Sequence, residues 1–362
     1  MRSRTRQRLG CVLAAVLAGT LAACSSASSS SSGGGSSGGS TASAAGTAKS
    51  APASLTNFTL AIVPSQEFAP LYAGINAGIF AQHGIDLKLK SYEDPSPMVA
   101  GVQNNSFQGM GLTGRCSRAS LQGIDLVSVA DFTIRPAYEL LATKDVTSVA
   151  DLAGKTVAVG EPTTGPALRL NATLKQAGVL GKVKIDNIAS ATPEVATYRS
   201  GQVQAIYLDP ATLTGLTAAV PGSHLIVPLA QTGPPTPGMG LCVSQSYLTQ
   251  NPAIVRQMIE AMSQSYAYAL NPKNEAAMVK VIATELQLPL SSGQAQTVYG
   301  TLKESDSPYP ISTTAQLAAQ VQLDVAGGSK ETLAQLTKTF NFTIAQEVVK
   351  AMNIAIPPAL AG

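Results

Sequence analysis

Three short stretches carry the side chains best suited to hold a ligand. In "GEPTTGPALR", residues 160–169, Thr163 or Thr164 can cap a helix whose first turn accepts Pro166. Gly165 permits close approach, and the amides of that turn, with the helix dipole behind them, favour negative charge. In "LTGRCSR", residues 112–118, Thr113 and Gly114 offer a similar turn and Arg115 adds a fork of donors for bidentate pairing, while Arg118 reads as a surface charge. In "PSQEF", residues 64–68, Ser65 can cap a helix while Gln66 and Phe68 present an amide and a ring. Asp131, Phe132 and Arg135, and then Tyr207 and Asp209, follow two further apolar segments and complete the set. Glu161 would sit unpaired beside an anion. Acids and arginines together therefore predict a zwitterionic, amine-bearing or neutral polar solute over a bare oxyanion such as nitrate.

Catalytic equipment is sparse by comparison. No GxSxG elbow, HExxH pair or phosphate-binding loop occurs, and His83 and His224 are the two histidines, both read as lying in turns. No Cys or His spacing suits a metal, so neither a metal nor another cofactor is expected. Beyond Cys24 the cysteines are Cys116 and Cys242, which an exported chain could bridge or leave as two buried thiols.

The elements that must position these residues alternate. "FTLAIVP" from Phe58 is a short apolar strand; Leu71, Ile75, Ile79 and Phe80 then mark one face of a helix that Gly84 ends. Ile85, Leu87 and Leu89 alternate with Asp86, Lys88 and Lys90 as a half-buried strand. Helix "PSPMVAGVQNN", strand "FQGMGLTG", helix "CSRASLQG" and strand "IDLVSVADF" continue the series. A second series runs from "YELLATKD" through "KTVAVG", "GPALRLNATLKQAG", "VKIDNIA" and "TPEVATYRSG" to "VQAIYLDP". After the strand "MGLCVSQSYL" the chain is mostly helical, with a last amphipathic helix near Thr343–Met352. Strand–helix alternation with short links predicts an α/β fold, and two such series predict two lobes. A ligand in that arrangement sits beyond the carboxyl ends of the strands.

The first 54 residues differ in kind. Arg2, Arg4, Arg6 and Arg8 precede fifteen uncharged residues, Leu9–Ala23, fewer than the roughly 18 that a spanning helix needs. This pattern describes an export signal over residues 1–23, and Leu21-Ala22-Ala23-Cys24 resembles the bacterial lipobox, whose cysteine is acylated. Residues 24–54 would then be a Ser/Gly-rich tether with a reach of roughly 30 Å, holding the folded part off the outer face of the cytoplasmic membrane. The chain has 24 Lys+Arg and 21 Asp+Glu; losing the four leading arginines leaves 20 against 21, a net charge of −1. That balance, with no basic run, argues against nucleic acid as a partner.

The order of segments resembles bacterial solute-binding proteins of ABC importers, in the periplasmic-binding-protein type 2 branch that includes nitrate, sulfonate, taurine and thiamine-precursor binders. "APLYAGINAGIFAQHGIDLKL" is similar to the family's opening helix, "SVADLAGKTVAVG" to its entry into the second lobe, "YRSGQVQAIYLDPAT" to its Gly-x-Val-Asp-Ala segment, and "VSQSYLTQNPAIVRQMIEAMSQSYAYALNP" to its return strand and long helix. Gln108 and Gln204 stand where the family usually carries Asp. The resemblance implies one lobe from residues 55–140 and 240–362 and another from 141–239, joined by two crossovers with a closing cleft between. It further implies a monomer that is not an enzyme and that delivers a small solute to a membrane permease and, through it, an ATPase. A sensor or surface protein uncoupled from transport is the alternative. The related thiamine-pyrimidine synthase uses a cysteine cluster that this chain lacks.

Overall fold

The computed structural model describes residues 54–361 apart from 229, 230 and 232. The export signal, Cys24 and nearly all of the tether therefore lie outside the described residues.

Ten strands are seen among them: β1 Thr56–Ile62, β2 Ile85–Ser91, β3 Gly109–Leu112, β4 Val127–Asp131, β5 Glu139–Ala142, β6 Thr156–Val159, β7 Lys184–Asn187, β8 Ala205–Leu208, β9 His224–Val227 and β10 Met239–Val243. They form two five-stranded sheets, ordered β2-β1-β3-β10-β4 and β7-β6-β8-β5-β9. The two sheets share one plan. Three strands run parallel, and an antiparallel strand is lodged between the third and the last: β10 in the first sheet, β5 in the second. Each lodged strand follows a crossover of the chain from the other sheet. The fold is thus two-lobed α/β, of the periplasmic-binding-protein kind.

Residue pattern explains the layers. β5, β8 and β10 are buried along their whole length, as central strands covered on both faces must be. At the sheet edge, β2 buries Ile85 and Leu87 and exposes Lys88 and Lys90. Helix Pro252–Leu270 covers one face of the first sheet, where Met258 and Met262 pack against Phe58, Leu60 and Leu241. Cys116, Met98 and Phe107 fill the other face. Gly240 is required where β10 passes β4, since a Cβ there would lie 2.0 Å from the Ala130 carbonyl oxygen. The opening helix expected as one piece is broken in two, Ala69–Asn76 and Ile79–Gln82, because Gly78 takes a left-handed φ of 70°. Helix Pro210–Ala219 was not anticipated, nor was β9, which places His224 at the start of a strand and not in a turn. The strand expected over residues 239–248 ends at Val243, because Ser244 caps a helix, Gln245–Gln250, by accepting from the Tyr247 amide.

The crossovers, residues 132–138 and 228–238, are stitched to each other. Thr133 Oγ1 accepts from the Met239 amide at 2.7 Å, and Asp131 Oδ2 accepts from the Gly238 amide at 2.9 Å. The C-terminal helices hold the first crossover from beneath. Gln316 Nε2 donates to the Thr133 carbonyl at 2.9 Å, and the Ile134 and Arg135 amides donate to the Ser305 carbonyl. Thr133→Val would leave the buried Met239 amide unpaired, at a cost of about 1–3 kcal/mol. A corresponding fall in urea midpoint, with unchanged slope, is the expected result.

Candidate functional site

A cavity of about 240 Å³ lies where the loops after the parallel strands of both sheets converge. Val63 follows β1, Glu93 and Pro95 follow β2, Gly114 follows β3, Thr164 follows β6, Ser190 follows β7, Leu208 ends β8, and Pro237 comes from the second crossover. All three parallel strands of each sheet thus point their carboxyl ends at it, the position expected for a ligand in open α/β sheets.

Of the residues singled out from sequence, Gly114, Arg115, Thr163, Thr164 and Tyr207 line this cavity. Gly114 and Arg115 lie within helix Thr113–Leu121, which begins earlier than the pattern suggested. Arg115 Nη2 donates to Ser96 Oγ at 3.3 Å. Helix Gly165–Gln176 presents its first turn to the cavity with no side-chain cap, because Thr164 Oγ1 turns back to the Glu161 carbonyl at 2.7 Å. Tyr207 is buried beside Tyr138, ring centroids 6.0 Å apart.

The other candidates are placed elsewhere. Gln66 is buried and its Nε2 donates to Thr301 Oγ1 at 2.9 Å. Phe68 packs under β3, its ring occupying the space a side chain at Gly111 would need. Thr113 is buried; its amide donates to the Gly238 carbonyl, and its hydroxyl lies 2.5 Å from Asp131 Oδ2. Phe132 stacks on Tyr266 at 4.5 Å. Arg135 sits on the first crossover, tied through its amide to Ser305. Asp209 caps helix Pro210–Ala219, accepting from the Thr212 amide at 3.0 Å and the Thr212 hydroxyl at 2.8 Å.

Four wall residues escaped the sequence reading. Arg118, expected on the surface, lines the cavity and pairs with Asp324 at 3.6 Å; burial lowers its pKa while Asp324 opposes the shift. Arg169 is buried, its pKa lowered by burial, and its Nη2 donates to the Pro234 carbonyl at 3.0 Å and to Thr236 Oγ1 at 2.5 Å, joining the second lobe's helix to the second crossover. Tyr138 comes from the first crossover. Glu194 lines the cavity near the start of helix Ala191–Arg199, and burial, with Asp209 as the second cause, pushes its carboxyl up to about 8. One signal for Glu194 was available: it stands one turn before Tyr198 on what becomes the buried face.

Cys116 and Cys242 form a disulfide that fastens helix Thr113–Leu121 to β10. That anchor steadies the element carrying Arg115 and Arg118. Among the described residues no group of three or more His, Cys, Asp or Glu converges to hold a metal.

Comparison with known proteins gives a consistent picture of the fold. The family model described as NMT1/THI5 like matches residues 65–276. The alkanesulfonate-binding protein SsuA from Xanthomonas axonopodis pv. citri, solved bound to MOPS, superposes with a TM-score of 0.66 at 17% identity, over 80% of this chain and 99% of that one. The periplasmic nitrate-binding protein NrtA from Synechocystis PCC 6803 gives 0.67 at 12% identity, over 85% and 93%. The desulfurization enzyme DSZB gives 0.61 at 15% identity, over 82% and 99%. No curated protein sequence matches the chain.

Proposed function

The chain belongs to the NMT1/THI5-like family, and on that premise we propose that it is the extracytoplasmic binding subunit of an ABC importer, closing two lobes on a small polar solute. The observation that carries the reading is the cavity of about 240 Å³ at the carboxyl ends of both sheets. Its walls come from two lobes that the chain joins at residues 132–138 and 228–238, a geometry that suits hinged closure. Two fold neighbours are named for binding alkanesulfonate and nitrate, which supports a small solute.

In this reading residues 55–140 with 240–362 form one lobe and 141–239 the other. Arg115, Thr163, Thr164, Tyr207 and the backbone at Gly114 touch the solute. Gln66, Phe68, Thr113, Phe132, Arg135 and Asp209 shape the crossovers and strand ends behind it. Cys24 carries the lipid, residues 25–54 are the tether, and the monomeric protein meets its permease at the outer face of the membrane. A binder is favoured over an enzyme, even with a desulfurization enzyme among the fold neighbours. Among the described residues the cavity wall has no His or Cys, the side chains most suited to proton shuttling and nucleophilic attack near neutral pH.

The test is the thermal midpoint of the protein against sulfonates, nitrate, amino acids, thiamine precursors, polyamines and heterocycles. A solute at 100 times its dissociation constant stabilises by about 2.7 kcal/mol, which raises the midpoint measurably. Deleting the gene should then abolish uptake of the same solute. Binding without an uptake defect would favour a sensor, and no shift with any solute would count against a binding role.

A further inference from the structure

Glu194 presents an unmet demand in the cleft. It is 2% exposed, and its Oε1 has no hydrogen-bond partner among the described residues. It forms no ion pair there either. Leaving such an oxygen unpaired is costly, and native interiors seldom do so without a reason. Here the oxygen belongs to a side chain on the cavity wall, so a donor on the solute is the natural partner.

The surroundings decide what kind of donor. Asp209, on the loop after β8, is near enough to disfavour charge on Glu194. The arginines on the wall are turned to other partners: Arg115 to Ser96, Arg118 to Asp324, Arg169 to Pro234 and Thr236. From the opposite side Glu93 approaches the same helix, accepting from Thr192 Oγ1 at 3.4 Å, and Glu161 stands on the rim. Acid therefore gathers around Glu194, and among the described residues no cation pairs with it. A bare oxyanion would leave Oε1 unpaired; an N–H cation would supply both the donor and the counter-charge.

Resting on the solute-binding reading above, we propose that the solute bears a protonated amine whose N–H donates to Glu194 Oε1. Pairing with a cation requires the ionised carboxylate. Burial and Asp209 hold the Glu194 carboxyl at about 8, so at pH 7 loading the amine expels a proton. Affinity for an amine then falls as pH drops below about 8, approaching tenfold per unit. Asp209, also raised by burial, adds to that slope, so the Glu194 variant isolates its share.

The experiment titrates the full-length chain, by calorimetry from pH 6 to 9, with two matched pairs: 4-aminobutyrate against butyrate, and putrescine against 1,4-butanediol. The expected result is that the amine-bearing member of a pair binds at least tenfold tighter at pH 8 and weakens steadily toward pH 6. Glu194→Gln should remove both the preference and the slope. Should that variant not fold, the wild-type preference and slope remain the test. Equal binding within both pairs, a flat pH profile, a preference that survives Glu194→Gln, or no amine binding at millimolar concentration would each overturn the assignment. If butyrate or another amine-free solute binds while the amines do not, only the role of Glu194 falls. If no solute of either kind binds, the binding role falls with it.

Discussion

Unfolding by heat or urea is expected to show a more stable protein at pH 5 than at pH 8. Glu67, Asp131 and Asp306 lie buried beneath the first crossover, each at most 3% exposed. Burial is the leading cause of a raised pKa in all three: Asp131 to about 7, Glu67 to about 7, and Asp306 well above the usual carboxylate range. The Ala137 amide and the Ser65 hydroxyl oppose the shift at Glu67, and the Thr113 hydroxyl and the Thr133 and Gly238 amides oppose it at Asp131. Glu67 disfavours charge on Asp306, and Asp131 disfavours it on both. The folded state thus holds protons that an unfolded chain releases near pH 4. The stability these groups contribute is fully present below about pH 4 and is lost as pH rises through about 7. For Asp131 alone the full effect is on the order of 4 kcal/mol.

Geometry supports the protonated form. Thr113 Oγ1 has one hydrogen, yet it lies 2.5 Å from Asp131 Oδ2 and 2.9 Å from the Gly238 carbonyl. Both contacts are hydrogen bonds at once only if Asp131 Oδ2 carries a proton and donates to Thr113, which donates onward to Gly238. Asp94 and Asp151 shift the other way, led by the Ser96 amide and the Thr147 hydroxyl respectively, but both are exposed and act below pH 4. Asp131→Asn should flatten part of the pH dependence. Equal midpoints at pH 5 and pH 8 would show that these acids are not held neutral by the fold.

Replacing both Cys116 and Cys242 by serine is expected to cost about 2–5 kcal/mol. The bridge spans 126 residues of sequence, and loops of roughly that size are the ones whose closure most restricts the unfolded chain. Both sulfurs are fully buried, so two hydroxyls would also be left among Met98, Phe107 and Met110. A lowered urea midpoint checks the stability term, as does a lowered thermal midpoint of the wild-type protein in reductant. Any solute that binds should bind more weakly to the variant, because helix Thr113–Leu121 would lose its anchor to β10. A variant as stable as the wild type would mean that the bridge adds nothing in this fold.

Much of the architecture was readable from periodicity and punctuation. Gly84 ends its element with a left-handed φ, as its position suggested, and Gly154 and Gly178 do the same. The two glutamines that depart from the family pattern turn out to be matched. Gln108 Oε1 accepts from the Thr59 amide in β1, and Gln204 Oε1 accepts from the Thr156 amide in β6, the same place in each sheet. An uncharged amide does there the architectural work assigned to the usual acid.

The cleft was less legible, for a definite reason. That a residue follows a strand can be read from sequence, but which way its side chain turns is decided by distant packing. Phe132 turns to Tyr266 and Gln66 to Thr301, partners more than 130 residues away. Thr113 looked like a turn donor because its hydroxyl's partner, Asp131, belongs to another strand. Glu194 was not singled out, because a glutamate in a helix's first turn is usually solvated, and its burial comes from the packing of that helix against β6 and β8. Helix Pro210–Ala219 was passed over because its Thr- and Gly-containing segment has weak intrinsic preference, and it is held by packing against the helices of residues 275–305.

The lodging of β10 between β3 and β4 also imposes an order of assembly. Synthesis proceeds from the N-terminus. When residue 230 has emerged, every strand of the second sheet exists and can pair in one continuous stretch from β5 to β9. The first sheet at that moment has four strands and a gap, with β3 and β4 showing bare edges. It can be completed only when β10, emerging last of all strands, wedges between them. The lobe encoded in the middle can therefore mature first, and the lobe that begins the chain must wait, with exposed edges that invite misplaced pairing in the interval.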